Sequence, residues 1–212
     1  MSQPDTKEIP NIEELQEIAD ELLAEKHSVD PDKLPSDMAD WMRIPIMLID
    51  KTNVFVGKTV CWTTLIVIFA MVYEVIARYF FTAPTIWAYD VSRMFYGALF
   101  MLGSGYALSQ GVHIRADFIY RNWKSTTQAI VDLVLYLVFY FPGLIMFFIF
   151  SMEFATEAWQ RNERGMDTAW MPYVYPIKSV LPISILLLLI QGVSESLKCL
   201  YTIKKGRWHY ES

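Results

Sequence analysis

Glu74 and Arg78 lie four residues apart, Asp90 and Arg93 lie three apart, and eleven residues separate the two pairs. Positions three or four apart on a helix share a face, so each acid can meet its own base. Such a group can do two kinds of chemistry. It can relay a proton or an ion, or it can neutralise itself as an ion-pair network that pins a hairpin or a partner. Two acids matched by two bases favour pinning, because an isolated transporting carboxylate lacks such nearby bases. His113 and Asp117 form a second set, with Arg115 between them. Haem ligation within a helical bundle usually takes two axial side chains, typically histidines deep in the spans. The other histidines, His27 and His209, fall outside the apolar runs. No cofactor is therefore expected, and His113 reads as a cap or interface residue. Gln191 and Glu195 are four apart and Glu195 and Lys198 three apart, which reads as a surface pair near the headgroups. No HExxH, GxSxG or P-loop pattern occurs, so no enzyme is expected.

The elements that must position these residues are long apolar helices. Met94 to Ile114 is 21 residues without a formal charge, and Leu133 to Met152 is 20. Each can cross a hydrocarbon core of roughly 30 Å at about 1.5 Å per residue. Thr59 to Tyr73 and Ser179 to Ser194 reach spanning length with their apolar flanks. The expected fold is all-α: an integral membrane protein with four transmembrane helices, at about 52–81, 87–111, 126–154 and 173–203, forming a membrane domain over 41–212. An acidic cytoplasmic extension over 1–40 precedes it, with amphipathic and interfacial helical segments. Residues 1–40 hold 3 Lys/Arg against 12 Asp/Glu, and the remainder hold 15 against 11. That balance suits no nucleic-acid partner. No apolar h-region follows Met1, so the first span is expected to act as the insertion signal. Basic residues flank one side of the spans ten to five, which places both termini in the cytoplasm. Two cysteines, Cys61 and Cys199, within or at the end of spans, offer no disulfide framework.

Local signals fill in the rest. Asn11 with Glu14 starts a helix whose stripe is Ile12, Leu15, Ile18 and Leu22. Pro31 and Pro35 mark a linker. Met38, Trp41, Met42, Met47 and Leu48, with Arg43 and Lys51, suit a segment lying among lipid headgroups, which Pro45 should break or bend. Gly97, Gly103, Ser104, Gly105 and Ala107 make a small-residue surface where another helix can come close. Pro142 predicts a kink in span three. Residues 155–172 read as the one long outer loop, with Trp159 and Trp170 as interface anchors.

The run Glu74-Val-Ile-Ala-Arg78-Tyr79-Phe80, then Pro84, Trp87, Asp90 and Arg93, then Gly111-Val-His113-Ile114-Arg-Ala-Asp117, resembles the small membrane subunit of TRAP transporters. These are tripartite ATP-independent periplasmic systems of bacteria and archaea. Spans three and four match mainly in position, with Gln191-Gly192-Val193-Ser194-Glu195 also similar, and Asp90 stands where glutamate is common. The acidic extension is not part of that pattern. The resemblance implies an inner-membrane subunit that enlarges the static scaffold of a large, elevator-type M subunit. Uptake would be sodium-driven, of an organic acid delivered by a periplasmic binding protein. On this reading Glu74, Arg78, Trp87, Asp90, Arg93, Gly103, Gly105, His113 and Asp117 serve structure or partner contact, beside membrane lipids and without a metal. Two other classes compete: a membrane anchor of a respiratory haem or quinone complex, and a self-sufficient homodimeric carrier. The missing histidine pair weakens the first. The lack of a repeat or a glycine-broken helix weakens the second.

Overall fold

Apolar runs without charge leave the backbone one way to satisfy its polar groups in lipid, which is to close them into helices. The computed structural model describes residues 34–35, 38–110 and 123–206, and the regular structure among them is helical. The helices are α1 (Asp40–Cys61), α2 (Thr63–Phe80), α3 (Ala88–Ser109), α4 (Ser125–Leu135), α5 (Phe141–Gln160), α6 (Tyr175–Lys178) and α7 (Val180–Lys205). Three rods, Asp40–Phe80, Ser125–Gln160 and Tyr175–Lys205, are long and apolar enough to cross a membrane. The fourth expected span, α3, is not among them. Its 22 residues reach about 33 Å, but glycines, serines, tyrosines and Arg93 dilute its apolar character. The helix predicted from Asn11, and His113 and Asp117, fall outside the described residues.

The helix α7 is the hub, packing against α1, α3, α4 and α5, while α2 packs on α3. The result is an open layer ordered α2, α3, α7, α5, with α1 laid against both α3 and α7. One end carries the 81–87 turn and the 161–174 loop and is called here the hairpin end. The opposite, terminal end is where α1 begins and α7 stops.

Three sequence expectations change. The segment around Met38 to Lys51 is no separate headgroup piece: it is the start of a 41-residue rod, and the helix runs through Pro45 unbroken. Pro45 lies in the second turn, so its missing N–H removes one bond, to the Trp41 carbonyl, beside a terminus where such bonds are absent anyway. The rod of α1 and α2, about 60 Å, is twice the hydrocarbon thickness, so part of it must lie outside the lipid tails, and α1 is the part that stays on the protein. Its buried face, Met42, Ile46, Asp50, Asn53, Gly57 and Val60, shows why it stays on the protein. Leu34, in the expected linker, packs with Met38, Met42, Ile46 and Tyr201. The rod hitches at Trp62, whose N–H reaches the Thr59 carbonyl at 3.2 Å in a tighter turn.

Pro142 acts through the turn before it. Tyr136–Tyr140 widens to a π-turn, with the Phe141 N–H donating to the Tyr136 carbonyl, which makes room for the proline ring. The helix α5 then continues to Gln160, so the loop spans 161–174 rather than 155–172. That loop is built: Arg164 and Tyr173 form an antiparallel bridge, and the Gly165 N–H donates to the Pro172 carbonyl at 2.8 Å.

Candidate functional site

Two polar clusters stand out. At the hairpin end, the Arg78 Nε donates to Glu74 Oε1 at 2.9 Å, one turn along α2. The other carboxylate oxygen of Glu74 accepts from the Thr85 N–H at 2.9 Å and from the Thr85 hydroxyl. Glu74 therefore fastens the 81–87 turn to the helix before it, and Trp87 stacks on Tyr73 with ring centroids 5.7 Å apart. Asp90, buried at the start of α3, accepts from the Thr168 hydroxyl and pairs with Arg93 at 3.4 Å. Arg93 also pairs with Asp167 at 2.5 Å. The expected four-charge network is thus two separate pins. Glu74 with Arg78 holds the turn, and Asp90 with Arg93 holds the 161–174 loop through Thr168, 78 positions after Asp90, and Asp167 beside it. The sequence could not show that second partner, because a loop contact leaves no periodicity.

The second cluster lies where α1, α3 and α7 cross. Lys198 is 1% exposed; its ammonium donates to Glu195 Oε1 at 2.7 Å and forms an ion pair with Asp50 Oδ2 at 2.9 Å. Gln191, with no exposed surface, donates to Asp50 Oδ1 at 2.8 Å and to Glu195 Oε1 at 3.3 Å, and accepts from Asn53 Nδ2 at 2.8 Å. The Ser194 hydroxyl gives a third bond to Asp50, at 2.8 Å. Glu195 and Lys198 are therefore no surface pair. Burial of charge is tolerated only with paired, hydrogen-bonded partners, and the interlocked side chains supply them. Sequence reasoning does not single out Asp50 and Asn53. They sit among Trp, Met and Lys residues that read as interfacial, although the spacing 42, 46, 50, 53, 57, 60 marks one buried helix face.

Glycines let the crossing close. A Cβ on Gly105 would stand 2.5 Å from Asn53 Oδ1, and one on Gly57 would stand 2.5 Å from Tyr106 Cβ. Gly192 is likewise filled by the ring of Tyr140, whose hydroxyl donates to the Leu188 carbonyl at 2.7 Å. A Cβ on Gly103, by contrast, would meet nothing within 4 Å. Of the expected small-residue surface, Gly105 is spent inside the chain and Gly103 stays open. Among the described residues no group of three or more His, Cys, Asp or Glu side chains can hold a metal. The chemistry on offer is fastening.

Residues 67–201 match the family described as tripartite ATP-independent periplasmic transporters, DctQ component. The chain belongs to this family. It is a membrane protein and a transporter component, one part of a tripartite system. The DctQ match spans both pins and the Gln191 to Lys198 half of the buried cluster, whereas α1, with Asp50 and Asn53, precedes it. The buried cluster therefore ties the family region to the helix ahead of it. Comparison with curated proteins and with solved structures gives no match.

Proposed function

We propose that this DctQ component is the static wall against which a large, elevator-type M subunit works, in sodium-driven uptake of an organic acid delivered by a periplasmic binding protein. The family match carries the reading, and the fastening at both ends of the helix layer supports it. An elevator needs a part that does not move. Here the turn, the outer loop and the α1–α3–α7 crossing are each held by polar side chains. We take α3 as the fourth span: it is long enough, and its neighbours α2 and α7 shield its less apolar face. With four spans, the basic-residue bias puts both termini in the cytoplasm of an inner membrane, even though Lys198 is buried and drops out of that count. Glu74, Arg78, Trp87, Asp90 and Arg93 are structural on this reading, and Gly103 is open for the large subunit.

Reconstitution tests the division of labour. Vesicles holding this chain with its large subunit and binding protein should take up substrate under a sodium gradient, and vesicles holding this chain alone should not. Robust uptake by the chain alone would end the scaffold reading. Orientation has its own check, since a cysteine placed at Glu163 should react with an impermeant reagent in intact cells and one at Asp30 should not.

A further inference from the structure

The 161–174 loop borders an open cavity of about 450 Å³ against the start of α3 and the short helix α6. Its charged lining is Arg93, Arg164 and Lys178 against Glu163 and Asp167, an excess of one positive charge. Two of the cations have carboxylate partners: Arg93 pairs with Asp167 at 2.5 Å, and Lys178 pairs with Glu163 at 2.6 Å. Arg164 has no carboxylate partner among the described residues. Its guanidinium lies 4.3 Å over the Tyr173 ring and donates to that residue's hydroxyl at 2.5 Å, which fixes its place while leaving most of its five donors unspent. The remaining wall includes Met94, Met166, Val174 and Ile177, which are apolar. A positioned arginine opening on an apolar-walled cavity, beside the ends of membrane-crossing rods, matches a molecule with an oxyanion head and a hydrocarbon body.

We propose that this cavity is a binding site for a phospholipid, with the phosphodiester oxyanion on Arg164 and the glycerol and first acyl carbons along Met94, Val174 and Ile177. The bridge and backbone bonds of the loop hold the site open in advance, so little ordering opposes binding. The site requires only that the rods cross the membrane; which leaflet supplies the lipid follows from the orientation proposed above.

The test is native mass spectrometry of the purified full chain in detergent, titrated with phosphatidylglycerol. Wild type should retain one tight lipid per chain. Arg164→Gln should bind it about tenfold more weakly or worse, since a charge-assisted bond contributes roughly 1.5–3 kcal/mol. Arg161→Gln removes the same charge from an exposed residue paired with Glu157, outside the cavity, and should bind as wild type. Arg164→Lys, which keeps the charge but loses the fork, should fall between. Equal binding by all four proteins, or equal loss in both glutamine variants, would overturn the proposal. Competition by inorganic phosphate or glycerol phosphate at matched concentration would also overturn it, by showing that a soluble oxyanion is the ligand. The readout is independent of uptake, so failure here leaves the scaffold reading standing.

Discussion

The two ends of this molecule are fastened by similar residue types under opposite conditions. At the hairpin end, Glu74 with Arg78 and Asp90 with Arg93 keep their guanidinium groups about half exposed. At the α1–α3–α7 crossing, Asp50, Gln191 and Lys198 have almost no exposed surface. Exposed pairs are screened and rehydrated when broken, so they orient a loop more than they stabilise a fold. Buried ones cannot be rehydrated, and losing one member strands the rest. Similar chemistry therefore gives a trimmable surface in one place and an obligatory joint in the other.

The largest effect should come from the joint. Lys198→Met removes the cation between Asp50 and Glu195 and should destabilise the chain by about 3–5 kcal/mol. The measurement is the thermal midpoint in detergent, with folded yield as a second readout. Adding Asp50→Asn to Lys198→Met should recover part of the loss, because one stranded charge goes with it. If Lys198→Met unfolds no more readily than a hairpin-end variant, the contrast between the ends fails.

Glycine gives a sharper version of the contrast within one helix. Gly105→Ala would drive a methyl into Asn53 and should cost about 1–3 kcal/mol, because overpacking displaces the Asn53–Gln191 bond. Gly103→Ala meets no neighbour and should be neutral, or stabilising by up to about 1 kcal/mol through helix propensity. Purified alone, the two proteins should differ; with the large subunit present, a new penalty at Gly103 would place that residue at the contact.

The rod Ser125–Gln160 is legible because its uncharged run Leu133 to Met152 is of spanning length, and the other two are legible from shorter apolar runs with apolar flanks. The hairpin-end pairs are legible because their i, i+3 and i, i+4 spacing is local. The joint is not. Its halves lie about 140 residues apart, and Gln191 to Asp50 is a contact that no periodicity announces. Lys198 reads as a flanking charge because nothing local to it shows that Asp50 covers it. The role of α1 is hidden for a related reason: polar Asp50 and Asn53 and small Gly57 occupy half of its buried stripe, so its inward face does not look apolar. At Asp90 the acid is visible and its downstream partner Thr168 is not.

The smallest effects belong to the hairpin end, and they discriminate between uses of its charges. Arg93→Ala frees half-exposed Asp167 and leaves buried Asp90 with the Thr168 hydroxyl as its donor, so it should cost about 1–2 kcal/mol, less than Lys198→Met. Arg78→Ala should shift the thermal midpoint still less. After that change Glu74 keeps the Thr85 N–H and hydroxyl as donors, so the turn stays fastened. Glu74→Gln should also be mild, because an amide oxygen still accepts from a guanidinium or a backbone N–H. Combining Glu74→Ala with Arg78→Ala should cost less than the sum of the two, as direct partners do. The informative step repeats these changes with the large subunit bound. If the assembly covers Arg78, its loss will lower complex yield far more than it lowers the stability of the chain alone, and the pair then behaves like the buried joint. If yield and stability both hold while sodium dependence of uptake changes, Glu74 and Arg78 lie on the transport path, and fastening is the wrong account of them.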